Sequence, residues 1–195
     1  ALCTEIALAQ GQRLHVFNVH FRAPLAVPIP GQKAGPFVWR SAASWAEGYF
    51  LAALKRSAQA LEIRLAIDAI FDSDPAALLT LAGDCNAEAH EVPLTVLTAA
   101  EENTGNGALA GRALVDLARS VPEDRRFSVL HHGRALMLDH VLASRSLLAK
   151  FRSLEIHNEA LGDELVTFGK VHASPGSTHA PVVAVFDVDP EEQAP

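Results

Sequence analysis

The chain has 195 residues, 49% of them hydrophobic, with 16 Lys and Arg against 23 Asp and Glu and a formal charge of -7. That length and apolar content suit one domain with a sizeable core, while the negative balance and the lack of any basic block exclude a general electrostatic grip on nucleic acid or an anionic membrane. Cys3 and Cys85 are too few for a disulfide framework or a structural zinc site, and no apolar run reaches the roughly 18 residues of a membrane-spanning helix, so a reducing, cytoplasmic setting is the expectation.

The first residues carry neither Met nor the basic region of a signal peptide, which reads as a processed or truncated product. Residues 4–9 and 13–21 are β-leaning runs around Gln10-Gly11-Gln12 and predict a hairpin. Residues 23–37 hold four prolines, Pro24, Pro28, Pro30 and Pro36, and predict an irregular surface loop placed to line a substrate entrance. From residue 44 to 71 the pattern turns helical, with Leu51, Leu54, Ala58, Leu61, Leu65 and Ile70 at three- and four-residue intervals. Ser44 and Glu47 have the spacing of a capping box, and Asp72-Ser73-Asp74-Pro75 is a stop signal.

Residues 77–81 form a short apolar strand that leads into Gly83-Asp84-Cys85-Asn86. Residues 92–100 and 108–117 read as helices split by a turn, and strands are expected at 127–130, 135–144, 154–157 and 182–188. Residues 1–188 are expected to make one domain, with 189–195 a frayed acidic tail.

Four short segments carry chemistry. On a strand, positions i and i+2 share a face, so Asp84 and Asn86 can converge on one ligand, a hard divalent cation with a phosphate oxygen beside it. The competing reading is a turn in which both cap backbone amides. His20 follows one apolar strand and His179 precedes another, so both can stand at one edge of a β core, as phosphate contacts or as structural histidines. Asp139 sits among Leu136-Met137-Leu138 and Val141-Leu142, where an unpaired carboxylate is costly. A histidine ring is its natural partner; an Arg or a pair of backbone amides is the alternative.

In order, Asn18-Val19-His20, Gly83-Asp84-Cys85-Asn86, Asp139-His140-Val141-Leu142 and Ser177-Thr178-His179-Ala180-Pro181-Val182 resemble the C-terminal part of the endonuclease/exonuclease/phosphatase superfamily, as does Arg56-Ser57-Ala58-Gln59-Ala60. The resemblance implies a four-layered α/β sandwich and Mg2+ (or Mn2+) dependent in-line hydrolysis of a phosphodiester or phosphomonoester. It implies that Asp84 orients or deprotonates water, that Asn86 holds a phosphate oxygen or metal, and that His179, oriented by Asp139, stabilises the phosphorane. His20 would contact the phosphate from the opposite side, and the metal set would be Asp84, Asn86 and the position of Thr178.

Two departures qualify this. The final motif is normally Ser-Asp-His, and Thr178 replaces the acid with a hydroxyl, a poor ligand for a dication. The residues before His20 read as a hairpin and hold no counterpart of the N-terminal metal-binding Glu, so the domain is expected to be incomplete at its N-terminus. An apolar sheet face left by that segment would call for a partner, a longer chain or a second copy. The substrate is nucleic acid or a small-molecule or lipid phosphoester. The alternative function is a non-catalytic scaffold for binding or assembly.

Overall fold

The computed structural model describes residues 1–164 and 177–188; the acidic stretch 189–195 lies outside them. The predicted hairpin is present as β1 (Leu2–Ala7) and β2 (Arg13–His20), paired antiparallel. β2 then pairs in parallel with β5 (Leu78–Asp84), which brings His20 opposite Asp84. A parallel neighbour cannot be reached by a tight turn, and the crossover here is the long helix α1 (Ala42–Ser73). On its other side β5 pairs antiparallel with β9 (Asp139–Ser144), setting Asp84 opposite Asp139, and β6 (Leu114–Asp116) completes the order β1-β2-β5-β9-β6.

Side chains alternate across this sheet, so each strand feeds two cores. Phe17, Val19, Leu79, Leu81 and Leu142 face α1 and α2 (Val92–Thr98), where Ile67, Phe71, Leu94 and Leu97 meet them. Leu78, Val141 and Ala143 face the opposite way, against Leu154, Ile156 and Val182 of a two-stranded sheet, β10 (Phe151–Ile156) with β11 (Val182–Phe186). Helices, mixed sheet and small sheet thus stack as successive layers of an α/β sandwich. Among the described residues no helix is long and apolar enough to cross a membrane.

Several elements differ from the sequence expectation for identifiable reasons. The loop after His20 is not wholly irregular: it carries a small hairpin, β3 (Lys33–Gly35) with β4 (Val38–Trp39). The helix cap is Ser41, whose Oγ accepts from the Ser44 amide, while the Ser44 hydroxyl donates to Gln32 Oε1. The periodic leucines are not the buried face of α1. Gly48, Ala52, Ala60, Ile63, Ile67 and Phe71 are buried, whereas Leu54, Leu61 and Leu65 remain 50%, 50% and 61% exposed.

Small residues decide which face goes in. The Val27 carbonyl lies where a Gly48 side chain would have to be, 2.4 Å from an ideal Cβ, and the Val27 amide bonds the Gly48 carbonyl at 2.9 Å. Two arginines also lie on that face because their guanidinium groups find backbone carbonyls there, Arg64 on Leu97 and Arg112 and Arg56 on Arg22.

Residues 108–117 are not a helix. Gly107–Arg112 makes a 3-10 segment, and Leu114–Asp116 is the sheet strand β6, where pairing with β9 overrides the helical propensity of the alanines. The predicted strand 135–144 is broken into β8 (Arg134–Leu136), paired with β7 (Val129–His131), and β9. Strand pairing stops between them because the buried Ser128 hydroxyl takes the Leu138 and Asp139 amides.

Candidate active site

Strand ends deliver the site. His20 closes β2, Asp84 closes β5 and Asp139 opens β9, so register alone gathers two carboxylates and an imidazole at one edge of the sheet. The loop before β11 adds His179, whose Nδ1 lies 2.7 Å from Asp139 Oδ2. Oxygens of Asp84 and Asp139 and a ring nitrogen of His179 all fall within 4.8 Å of one another. Asp139, placed in an apolar run, has a histidine for its partner.

Asp84 and Asn86 converge, though not by the pleat of a strand. Near the end of β5, Gly83 takes φ +138°, a conformation for which an L side chain is unsuited, and a Cβ there would come within 1.9 Å of the Val19 carbonyl oxygen. Asn86 then sits in the left-handed region at φ 48°, which asparagine tolerates better than most residues. Its amide N–H donates to Asp84 Oδ1 at 2.7 Å. Its Nδ2 donates to Asp84 Oδ2 and to the Phe21 carbonyl, both at 3.0 Å. Both partners are pure acceptors, so Nδ2 is committed and Oδ1 is the atom left to accept or ligate.

His20 is largely exposed, with Nε2 3.4 Å from Asp84 Oδ2. Two residues further on, Arg22 is held from α1: Gln59 Oε1 accepts the Arg22 amide at 2.8 Å, and Arg56 reaches the Arg22 carbonyl. The Arg56-Ser57-Ala58-Gln59-Ala60 segment therefore braces the strand end that carries His20. Thr178 is half-buried beside His179.

Burial pushes the Asp84 carboxyl above its ordinary range; the Asn86 bond opposes this and the neighbouring Asp139 charge adds to it. The bond to Asp139 raises the His179 imidazole, against its partial burial and with help from the Asp139 and Asp84 charges. Two crowded carboxylates favour an added cation. The oxygen donors of Asp84, Asp139 and Asn86 are the kind a hard divalent ion takes, so the donor chemistry fits such an ion.

Sequence reasoning missed Ser128. Fully buried, it accepts the Leu138 and Asp139 amides at 3.0 and 3.1 Å, and its carbonyl accepts the Ala180 amide at 2.8 Å, tying the Asp139 strand to the His179 loop. A lone serine carries no pattern that could have announced this. A cavity of about 350 Å³, lined by Leu25, Val129, Leu138 and His131 among others, opens beside Asn86 and His179, so the proline-rich loop does border the site.

No family model and no curated protein matches the chain. Among solved structures, a 3'-5' exonuclease from Neisseria meningitidis superposes with a TM-score of 0.50 at 18% identity, covering 95% of this chain and 64% of that one. A beta toxin from Staphylococcus aureus gives 0.44 at 14% identity, covering 95% and 56%. Sphingomyelinase C from Streptomyces griseocarneus gives 0.42 at 19% identity, covering 93% and 56%. The chain spans less than two thirds of the length of these proteins. The chain shares the α/β sandwich fold of the Neisseria meningitidis exonuclease.

Proposed function

We propose that this chain, having that α/β sandwich fold, carries the catalytic face of a phosphoester hydrolase that works by in-line attack of water, with residues 1–188 as its single domain. The observation that carries the reading is the joining of Asp84 and the Asp139–His179 pair at one sheet edge. Asp84, raised by burial, is the base that orients water and takes its proton. Water oxygen bonds to phosphorus as the ester oxygen leaves with the bonding pair. His179, favoured as imidazolium by Asp139, stabilises charge on the phosphorane oxygens, a role suited to a fixed donor. His20 meets the phosphate from the Asp84 side.

With its Nδ2 engaged, Asn86 offers an acceptor oxygen, which suits a metal or a bound water better than a phosphate oxygen. A Mg2+ or Mn2+ ion held by Asp84 and Asn86, with Thr178 a weak neighbour, would neutralise phosphate charge when bound. The phosphoester is a nucleic acid or a small-molecule or lipid ester.

The test is turnover of a chromogenic phosphodiester and of plasmid DNA, with magnesium and with chelator, by this chain and by any longer gene product. Metal-dependent turnover is expected, and Asp84→Ala should lower it about 10²- to 10⁴-fold while circular dichroism stays unchanged. No turnover from any form, or a fully active Asp84→Ala variant, overturns the reading in favour of a non-catalytic scaffold. Separately, Thr178→Asp should tighten magnesium binding about tenfold by calorimetry, since it adds a carboxylate beside His179. Unchanged affinity would put residue 178 outside the metal's reach.

A further inference from the structure

The helix α1 buries one face in the domain and leaves a second apolar stripe uncovered. Leu54, Ala58, Leu61 and Leu65 are all exposed and follow the alternating four- and three-residue spacing of a coiled-coil seam. Single exposed leucines need no explanation, but a heptad row along a 32-residue helix does.

Charge identifies the occupant. Lys55 and Glu62 are exposed and flank the stripe on one side, each following a seam leucine. Neither has an opposite charge three or four residues away on its own helix, the distance at which a helix pairs its own charges. We propose that this stripe is a self-complementary interface on which α1 of a second copy of the chain docks antiparallel about a two-fold axis. Setting Leu54 opposite Leu65 of the second copy, and Ala58 opposite Leu61 of the second copy, fills the seam with apolar layers. The same register brings Lys55 against Glu62 of the second copy, and two-fold symmetry repeats the pair. A parallel arrangement fails this test, because Lys55 would then face Phe50 or Ser57 and meet no acid. The small Ala58 lies near the axis and allows close approach of the two backbones.

Sedimentation equilibrium on the 195-residue chain tests this without reference to catalysis. A dimer is expected. Lys55→Glu and Glu62→Lys should each weaken it about tenfold, since each sets two like charges together where two opposite charges were. The double variant Lys55→Glu/Glu62→Lys should restore it, and Leu61→Glu should give monomer. The charge variants alter exposed side chains only, so folding is not at stake in them. A chain monomeric at every concentration, a dimer indifferent to the single charge changes, or a stripe covered by some other segment of a longer gene product would each overturn the proposal.

Discussion

Asp139 and His179 meet at 2.7 Å, a charge-assisted bond that fixes the ring's orientation and favours its protonated form. Replacing Asp139 by Asn keeps the shape and removes the charge. We expect kcat to fall about 10²- to 10⁴-fold with little change in KM, by analogy with the loss of an orienting carboxylate elsewhere. The His179 pKa should also fall, because the carboxylate charge that raises it is gone. A reaction needing the imidazolium would then decline at lower pH, so the alkaline limb of the pH–rate profile should move toward acid. An unmoved limb would mean that Asp139 does not act through His179. At this scale the sequence was informative where cost is one-sided: a carboxylate in an apolar run needs a partner, and Asp139 has one. Ser128 was silent, because a hydroxyl that accepts two amides looks in sequence like any other serine.

Strand register is what turns scattered residues into a site, and Gly83 is where register and turn meet. A methyl group there clashes with the Val19 carbonyl and must adopt φ +138°. Gly83→Ala should therefore cost about 3 kcal/mol or more, read from the shift of a urea-unfolding midpoint, and should depress activity by moving Asp84 away from β2. A variant within about 0.5 kcal/mol of the parent would refute this account, since that is the effect of an ordinary surface change. The hairpin and the crossover order were legible from alternation and stop signals. The buried face of α1 was not, because the helix is apolar on two sides and the stronger periodicity lies on the outer one. Likewise β6 was hidden in an alanine-rich stretch, where pairing to β9 outweighs local preference.

Away from the reaction, His140 joins three parts of the molecule. It is buried, with Nδ1 3.0 Å from Asp116 Oδ2 on β6 and Nε2 2.9 and 3.0 Å from the carbonyls of Ala87 and Met137. Burial alone lowers its pKa, but the bonds to Asp116 and the two carbonyls outweigh it and the net shift is upward. Every partner offers an acceptor oxygen, an arrangement that favours the imidazolium over the neutral ring. A pKa raised on folding adds stability that is complete below the ordinary histidine value of about 6.5 and is lost as pH rises through the folded value. The denaturation midpoint should therefore fall as pH is raised above that range, and His140→Gln should flatten the dependence. An equally steep profile in the variant would assign it to other groups. The sequence placed His140 inside one of the four motifs but gave it no role, since that role depends on three segments that meet only in the fold.

The parallel pairing of β2 with β5 also governs when the candidate site is assembled. His20 and Asp84 become neighbours only after the chain has left the sheet, run the length of α1 and returned. Asp139 and His179 come from later segments still. Closing such loops costs entropy before any contact repays it, so non-local pairings form late. Among the described residues no single hairpin or helix holds two of His20, Asp84, Asp139 and His179 together. On the proposed mechanism, a nascent or partly folded chain would therefore lack the assembled groups until the sheet is complete.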